Sequence, residues 1–285
     1  MDTPLATAGG SILLFGTIVA CAAIIVAIAV WASSRMGALG KRVQLRPRAA
    51  WGRVAAPIGV AVGALAAGFL VTLLLGWGLG LLTKWTQVES FHSTSAQWIA
   101  KNRVDSLDWA VSRITMIGGQ PFTFGLALIA GLIFSLVHRD PLPMLVAVVA
   151  VAGMWELKLL IAHLVDGPPP PQSLTIGEPA PYPSGGAIRL AVAGGFTAWM
   201  LTRLRPGRRA LWWGLFALAL FLEMATRVYL NRHWILDVVF GAVIGLAWLA
   251  VLITDVWALD RARRSSRNQP SSTQAEPRAL PEGVG

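Results

Sequence analysis

The chain has 285 residues, 55% of them hydrophobic and 13% charged, whereas a soluble domain carries about 25% charged residues; a soluble globular protein is excluded. The 24 Lys and Arg against 14 Asp and Glu give a net charge of +10, but the basic residues fall in short clusters between long apolar runs, a pattern of membrane topology rather than of a nucleic-acid surface. The one cysteine, Cys21, lies inside an apolar run, so an intramolecular disulfide, a Cys-ligated zinc site and an iron–sulfur cluster are excluded.

A helix rises about 1.5 Å per residue, so roughly 20 apolar residues cross the hydrocarbon layer. Residues 3–34, 54–83 and 114–137 carry no charge, which predicts spans near 11–33, 55–82 and 115–137. Four further spans are predicted near 142–165, 185–203, 210–229 and 234–257. They are interrupted by Glu156 and Lys158, by Arg189, by Glu223 and Arg227, and by Asp237. Charges at membrane depth are costly and face a cavity or a partner, so these interruptions are the first functional clue. The fold class expected is an all-α polytopic bundle of seven spans.

Residues 35–53 hold Arg35, Lys41, Arg42, Arg46, Arg48 and Arg53 with no acid, which places this connection on the cytoplasmic side and the N-terminus outside. The leader Met1-Asp2-Thr3 lacks a basic region, so the first span is expected to stay uncleaved. Counting forward, His138-Arg139-Asp140, the loop with Arg203, Arg205, Arg208 and Arg209, and the tail with Arg261, Arg263, Arg264 and Arg267 all fall inside. Three segments face outward. Residues 83–113 mix Trp85, Val88, Phe91, Trp98, Ile99 and Trp109 with Lys84, Glu89, Lys101, Arg103 and Asp105, the composition of an interfacial helix. Residues 166–183 contain Pro168 to Pro171, Pro179, Pro181 and Pro183, a stiff loop. The third is the tight turn at 229–233. The organisation expected is therefore an N-terminal span (1–34), a basic cytoplasmic loop (35–54), a membrane domain (55–260) and a disordered cytoplasmic tail (261–285).

The strongest local signal runs from Thr226-Arg227 to His233 and Asp237. A carboxylate four residues after an imidazole shares its helix face and can accept its N–H, fixing the tautomer and making the other nitrogen a nucleophile or base. Arg227, at the end of the preceding helix, offers a planar fork suited to phosphate oxygens. The same residues could instead cap and anchor helix ends. Pro183-Ser184-Gly185-Gly186 opens the span after the proline loop; a hydroxyl, exposed amides and the positive end of a helix dipole form an anion site, or an ordinary capped helix. Lys158, near the outer end of its span, can neutralise an anion, snorkel, or pair with Glu156 or Glu223. The predicted topology puts all three elements on one membrane face. His92 and His138 are expected as surface histidines outside this cluster. The 13 tryptophans mostly fall near predicted interfaces, as an aromatic belt. No zinc spacing, P-loop or dinucleotide fingerprint occurs, so no metal or cofactor is expected.

Taken together these residues resemble the type 2 phosphatidic acid phosphatase (PAP2) superfamily, the membrane relatives of vanadium haloperoxidases. That family shows a Lys followed seven and eight residues later by Arg-Pro, then Pro-Ser-Gly-His, then Ser-Arg-x5-His-x3-Asp. The third element is intact here apart from Thr226 for Ser, and Tyr229-Leu230, Asp237-Val238 and Gly241 are also similar to it. The likeness runs from about Ser95 to Trp257, with residues 105–118 resembling the family's entry into its membrane core and the first span an addition. The resemblance implies that His233 attacks phosphorus to form a phosphohistidine and that Asp237 orients it. It also implies that Lys158, Ser184, the Gly185 backbone and Arg227 hold the phosphate oxygens without a metal. Two positions depart: Val165 stands where the first motif has Arg, and Gly186 where the second has His.

By the same resemblance the missing histidine is the proton donor to the leaving group, a function worth roughly 10²–10⁴-fold. A lipid diphosphate expels phosphate and needs that donor least, so diphosphates are expected to be cleaved faster than monophosphates. His163, Asp166 and Glu178 are candidate replacement acids, and Arg189 is either a replacement for the missing positive charge or an interfacial or structural arginine. The function expected is a membrane lipid phosphatase or diphosphatase, acting on a substrate such as a polyprenyl carrier at the outer face of a bacterial plasma membrane, with no nucleic-acid partner. Two alternatives are a catalytically silent relative that binds a phospholipid headgroup or supports envelope assembly, and a lipid phosphotransferase.

Overall fold

The computed structural model describes residues 55–84, 86–165, 167, 170 and 182–267. The span at 11–33, the basic stretch 35–53, Trp85, Asp166, Glu178, most of the proline-rich segment and the tail beyond 267 lie outside the described residues. The described chain is all-helical: α1 (Ala55–Leu82), α2 (Thr86–Asn102), α3 (Asp105–Ile114), α4 (Gln120–His138), α5 (Leu142–Leu164), α6 (Gly185–Leu204), α7 (Arg209–Tyr229) and α8 (Ile235–Arg267). Short 3₁₀ turns at Thr115–Gly118 and Pro206–Arg208 lead into α4 and α7.

Among the described residues, five segments are long and apolar enough to cross a membrane: Gly59–Leu82, Asp105–His138, Leu142–Leu164, Pro206–Tyr229 and Ile235–Arg261. The chain is an integral membrane protein. Its lipid-facing surface can be read from single helices: Leu211, Leu215, Leu218 and Leu222 on α7, three or four residues apart, are all exposed, as a helix stripe against hydrocarbon requires. The helix in the place of the predicted span 185–203, α6, is not among these five. It is 20 residues long but rich in Gly and Ala and interrupted by Arg189. The reason is its position: α6 packs against α4, α5, α7 and α8, so protein rather than lipid surrounds it and its apolarity need not meet the bilayer's demand.

Small residues let these helices approach. A Cβ on Gly241 would lie 2.8 Å from the Ser184 carbonyl oxygen, and one on Gly245 would lie 2.7 Å from both the Ile188 carbonyl oxygen and Ala191 Cβ. Gly241 and Gly245 are one turn apart on α8, a small-xxx-small face that brings its backbone against α6. Phe196, Leu190, Leu220, Ile244 and Leu252 fill the centre of the bundle.

The segment 83–113, expected as one interfacial helix, is two helices with a break at Arg103-Val104. The break is held by the last residue of α7, since the Val104 N–H donates to Tyr229 Oη at 3.0 Å and Tyr229 O–H donates to the Val104 carbonyl at 3.0 Å. The last helix runs to Arg267, about ten residues past the predicted span end.

At the far end of the bundle, Arg203 pairs with Asp260 at 3.6 Å and lies 5.0 Å over the Trp199 ring. His138, expected as a surface histidine, is half-buried there with its ring 5.4 Å from Phe134.

Candidate active site

The opposite end gathers the carboxyl end of α7, the amino ends of α6 and α8, the last turns of α5 and the 3₁₀ turn Thr115–Gly118. The α7–α8 connection is tight because Asn231 adopts φ 51°, a left-handed conformation asparagine tolerates better than most residues. The Arg232 N–H closes the turn onto the Arg227 carbonyl at 3.0 Å. Helix α2 buttresses it: Asn231 Nδ2 donates to the Ala96 carbonyl at 3.4 Å, Ile99 packs on Ile235, and His92 stacks on Trp234 at 5.1 Å between ring centroids. His92 is therefore not a surface residue; it is 6% exposed, and burial pushes its pKa down to about 4.

His233 lies in this turn, two residues before α8 begins, and Asp237 in the first turn of α8, so the pair does not share a helix face as expected; both are buried. The Asp237 carboxylate is 3.9 Å from His233 Nδ1, within ion-pair range but too long for a hydrogen bond. Its Oδ2 instead accepts the Trp234 N–H at 2.9 Å, so in this state the carboxylate caps α8 while facing the imidazole. Catalytic hydrogen bonds are often long until substrate binds.

Ser184 precedes α6 and is wholly buried. Its hydroxyl makes no cap bond to the helix and has no hydrogen-bond partner among the described residues. A capped helix is thus not what this serine builds. A helix start also leaves its first N–H groups without intrahelical acceptors, so the hydroxyl and the first amides of α6 together form a potential anion cradle. The Ser184 N–H donates to the Asp237 carbonyl at 3.0 Å, tying this helix start to that of α8.

Cations close the cradle. A Cβ on Gly185 would lie 2.8 Å from Arg189 Nη1 and 3.5 Å from Lys158 Cε, and one on Gly186 would lie 2.7 Å from Arg227 Nη2. Lys158 also attracts the Asp237 carboxylate. The structure therefore brings Lys158, Ser184, Gly185, Arg189, Arg227, His233 and Asp237 to one end of the bundle. It does not bring His163, which is exposed at the end of α5. Five residues turn a helix by roughly 140° beyond a full revolution, so His163 cannot share the face of Lys158. Glu156 is exposed as well.

Val165, standing where a motif arginine was expected, is buried against α1, where a Cβ on Gly80 would meet both it and Tyr182. Tyr182 donates to the Gly76 carbonyl at 2.6 Å; burial and then the Asp237 charge raise its pKa well above the usual tyrosine value. Glu223, read from sequence only as a candidate partner for Lys158, instead takes the Arg227 Nε–H at 2.7 Å. Its spacing of four from Arg227 was the available signal.

Comparison with known proteins adds two findings. Residues 141–261 match the model of the PAP2 superfamily. The fold is similar to that in the "Crystal structure of the first transmembrane PAP2 type phosphatidylglycerolphosphate phosphatase from Bacillus subtilis", with a TM-score of 0.57 and 18% sequence identity, covering 72% of this chain and 98% of that one. No curated protein matches the chain.

Proposed function

For a chain whose residues 141–261 match the model of the PAP2 superfamily, we propose a membrane lipid phosphatase or diphosphatase that works through a phosphohistidine at His233. The observation that carries the proposal is the convergence at one bundle end of three cations, a helix start with a buried serine hydroxyl, and an imidazole faced by a carboxylate. An anion of phosphate size is what such a cradle suits, and a membrane bundle offers its tail the space between helices.

In the proposed reaction Asp237 faces Nδ1 and keeps the proton there, leaving the Nε2 lone pair to attack phosphorus. The N–P bond forms as the bond to the leaving oxygen breaks. Lys158, Arg189, Arg227, the Ser184 hydroxyl and the first amides of α6 hold the phosphoryl oxygens, where charge is most costly to leave unmatched. Water then attacks phosphorus, the N–P bond breaks, and inorganic phosphate leaves with the imidazole restored. With a diphosphate substrate, such as a polyprenyl diphosphate, the terminal phosphoryl group passes to His233 and the leaving group is a lipid phosphate monoester that needs little protonation, which fits a site with glycine at 186. We place this end of the bundle at the outer membrane face, following the distribution of Lys and Arg along the chain.

Val165, an apolar contact in the place of a motif arginine, favours a second reading: a relative that binds a lipid phosphate headgroup without turning it over. A panel of lipid monophosphates and diphosphates, assayed with the wild type and His233→Ala, separates the two. Turnover that disappears on substitution supports the hydrolase, and binding without turnover by the wild type supports the second reading.

A further inference from the structure

We infer that Glu223 is a positioning residue that sets Arg227 and Arg189 over the start of α6, and that glycine at 186 is the space its carboxylate requires. The inference rests on the phosphate-site reading above.

Glu223 is wholly buried. One oxygen accepts the Arg227 Nε–H at 2.7 Å; the other accepts the Gly118 N–H at 3.2 Å and the Thr115 hydroxyl at 3.4 Å. The carbonyl of that same Gly118 accepts the Arg189 Nε–H at 3.1 Å. A single residue, Gly118, thus links the carboxylate to the second arginine through its N–H and its carbonyl, and both guanidinium groups are engaged at Nε. Their terminal nitrogens lie over the α6 start: Arg227 Nη2 is 2.7 Å from where a Gly186 Cβ would sit, and Arg189 Nη1 is 2.8 Å from that of Gly185.

Two glycines make room for this arrangement. A Cβ on Gly118 or on Gly186 would collide with the Glu223 carboxylate. Any side chain at 186, histidine included, would therefore displace the Glu223–Arg227 pair. The departure at Gly186 and the presence of a buried acid at 223 become one feature rather than two. A buried ion pair is seldom more stabilising than apolar residues of the same shape, so the worth of this one lies in where it holds the arginines.

The test uses the full-length protein in detergent micelles, titrated calorimetrically with inorganic phosphate, with lipid phosphate and diphosphate turnover and unfolding temperature measured in parallel. Glu223→Gln is expected to weaken phosphate binding by roughly tenfold to a hundredfold and to lower kcat/KM by a similar factor, the range for a hydrogen bond to a charged group. Gly186→Ala is expected to do the same and to lower the unfolding temperature, since its methyl displaces a buried ion pair; read at a temperature where it remains folded, it decides the matter if Glu223→Gln does not fold. Gly186→His is expected to lose phosphate binding, not to gain turnover. Wild-type phosphate affinity in folded Gly186→Ala, or faster turnover in Gly186→His, overturns the inference. A wild type that binds phosphate but cleaves no lipid in the panel overturns the hydrolase reading alone, and one that binds no phosphate overturns both.

Discussion

The backbone N–H of Ser184 donates to the carbonyl of Asp237 at 3.0 Å, so the helix start that would hold the phosphate is joined to the first turn of the helix that carries Asp237, the carboxylate facing the imidazole. Gly241, one turn further along α8, lies under the Ser184 carbonyl. The join makes the distance between cradle and nucleophile a property of two rigid backbones rather than of flexible side chains, which is how reacting groups are held at near-attack spacing.

Gly241→Ala tests that join. The added methyl would meet a backbone oxygen at 2.8 Å, which cannot swing aside as a side chain can. Pushing α6 from α8 is expected to cost about 1–3 kcal/mol of stability. Turnover should fall more steeply than stability, read as kcat/KM at a temperature where the variant remains folded.

Asp237→Asn removes the charge facing His233 while keeping the Trp234 cap acceptor. If the carboxylate orients the imidazole, kcat is expected to drop by roughly 10⁴, the scale seen when a catalytic histidine loses its orienting acid. A capping role alone predicts near wild-type turnover with a small change in unfolding temperature.

Substrate choice follows from glycine at 186. With no side chain there to protonate the leaving oxygen, kcat/KM for a lipid diphosphate is expected to exceed that of the matching monophosphate by about 10²-fold or more. Equal rates on the pair would contradict this.

The spans were legible because hydrocarbon thickness imposes length and apolarity on any crossing helix, and the runs at 55–82, 115–137 and 142–165 meet that rule without help from neighbours. The sequence 185–204, predicted as a span like the others, is less apolar because protein surrounds it. The site was half legible. His233 and Asp237 lie four apart on one chain segment, and local spacing reveals such pairs. Glu223 is also four from Arg227, but its second anchor, Gly118, is distant in sequence, and nothing local announces that Gly118 and Gly186 vacate space for it. His163 misled because nearness along the chain to Lys158 is not nearness around a helix. His92 misled because the polar composition of 86–102 hid a face packed on the α7–α8 turn.

His92 gives a pH prediction. Its pKa in the folded protein is about 4 against an ordinary 6.5, because burial against Trp234 disfavours the charged ring. Between those values the unfolded chain takes up a proton that the folded one refuses, so its contribution to stability is full above pH about 6.5, falls as pH drops towards about 4, and changes no further below. His92→Phe should keep the stacking and remove this dependence. The unfolding temperature of the variant is expected to fall less between pH 7 and pH 4.5 than that of the wild type; identical falls would contradict the assignment.

The most direct measurement is to mix the full-length protein with a lipid diphosphate labelled at the terminal phosphorus, quench within the first turnover at alkaline pH, and map the label. The proposed mechanism predicts an acid-labile, base-stable phosphoryl group on the peptide containing His233, missing in His233→Ala. Rapid turnover by the wild type with no label on protein, or with label retained in His233→Ala, would contradict it.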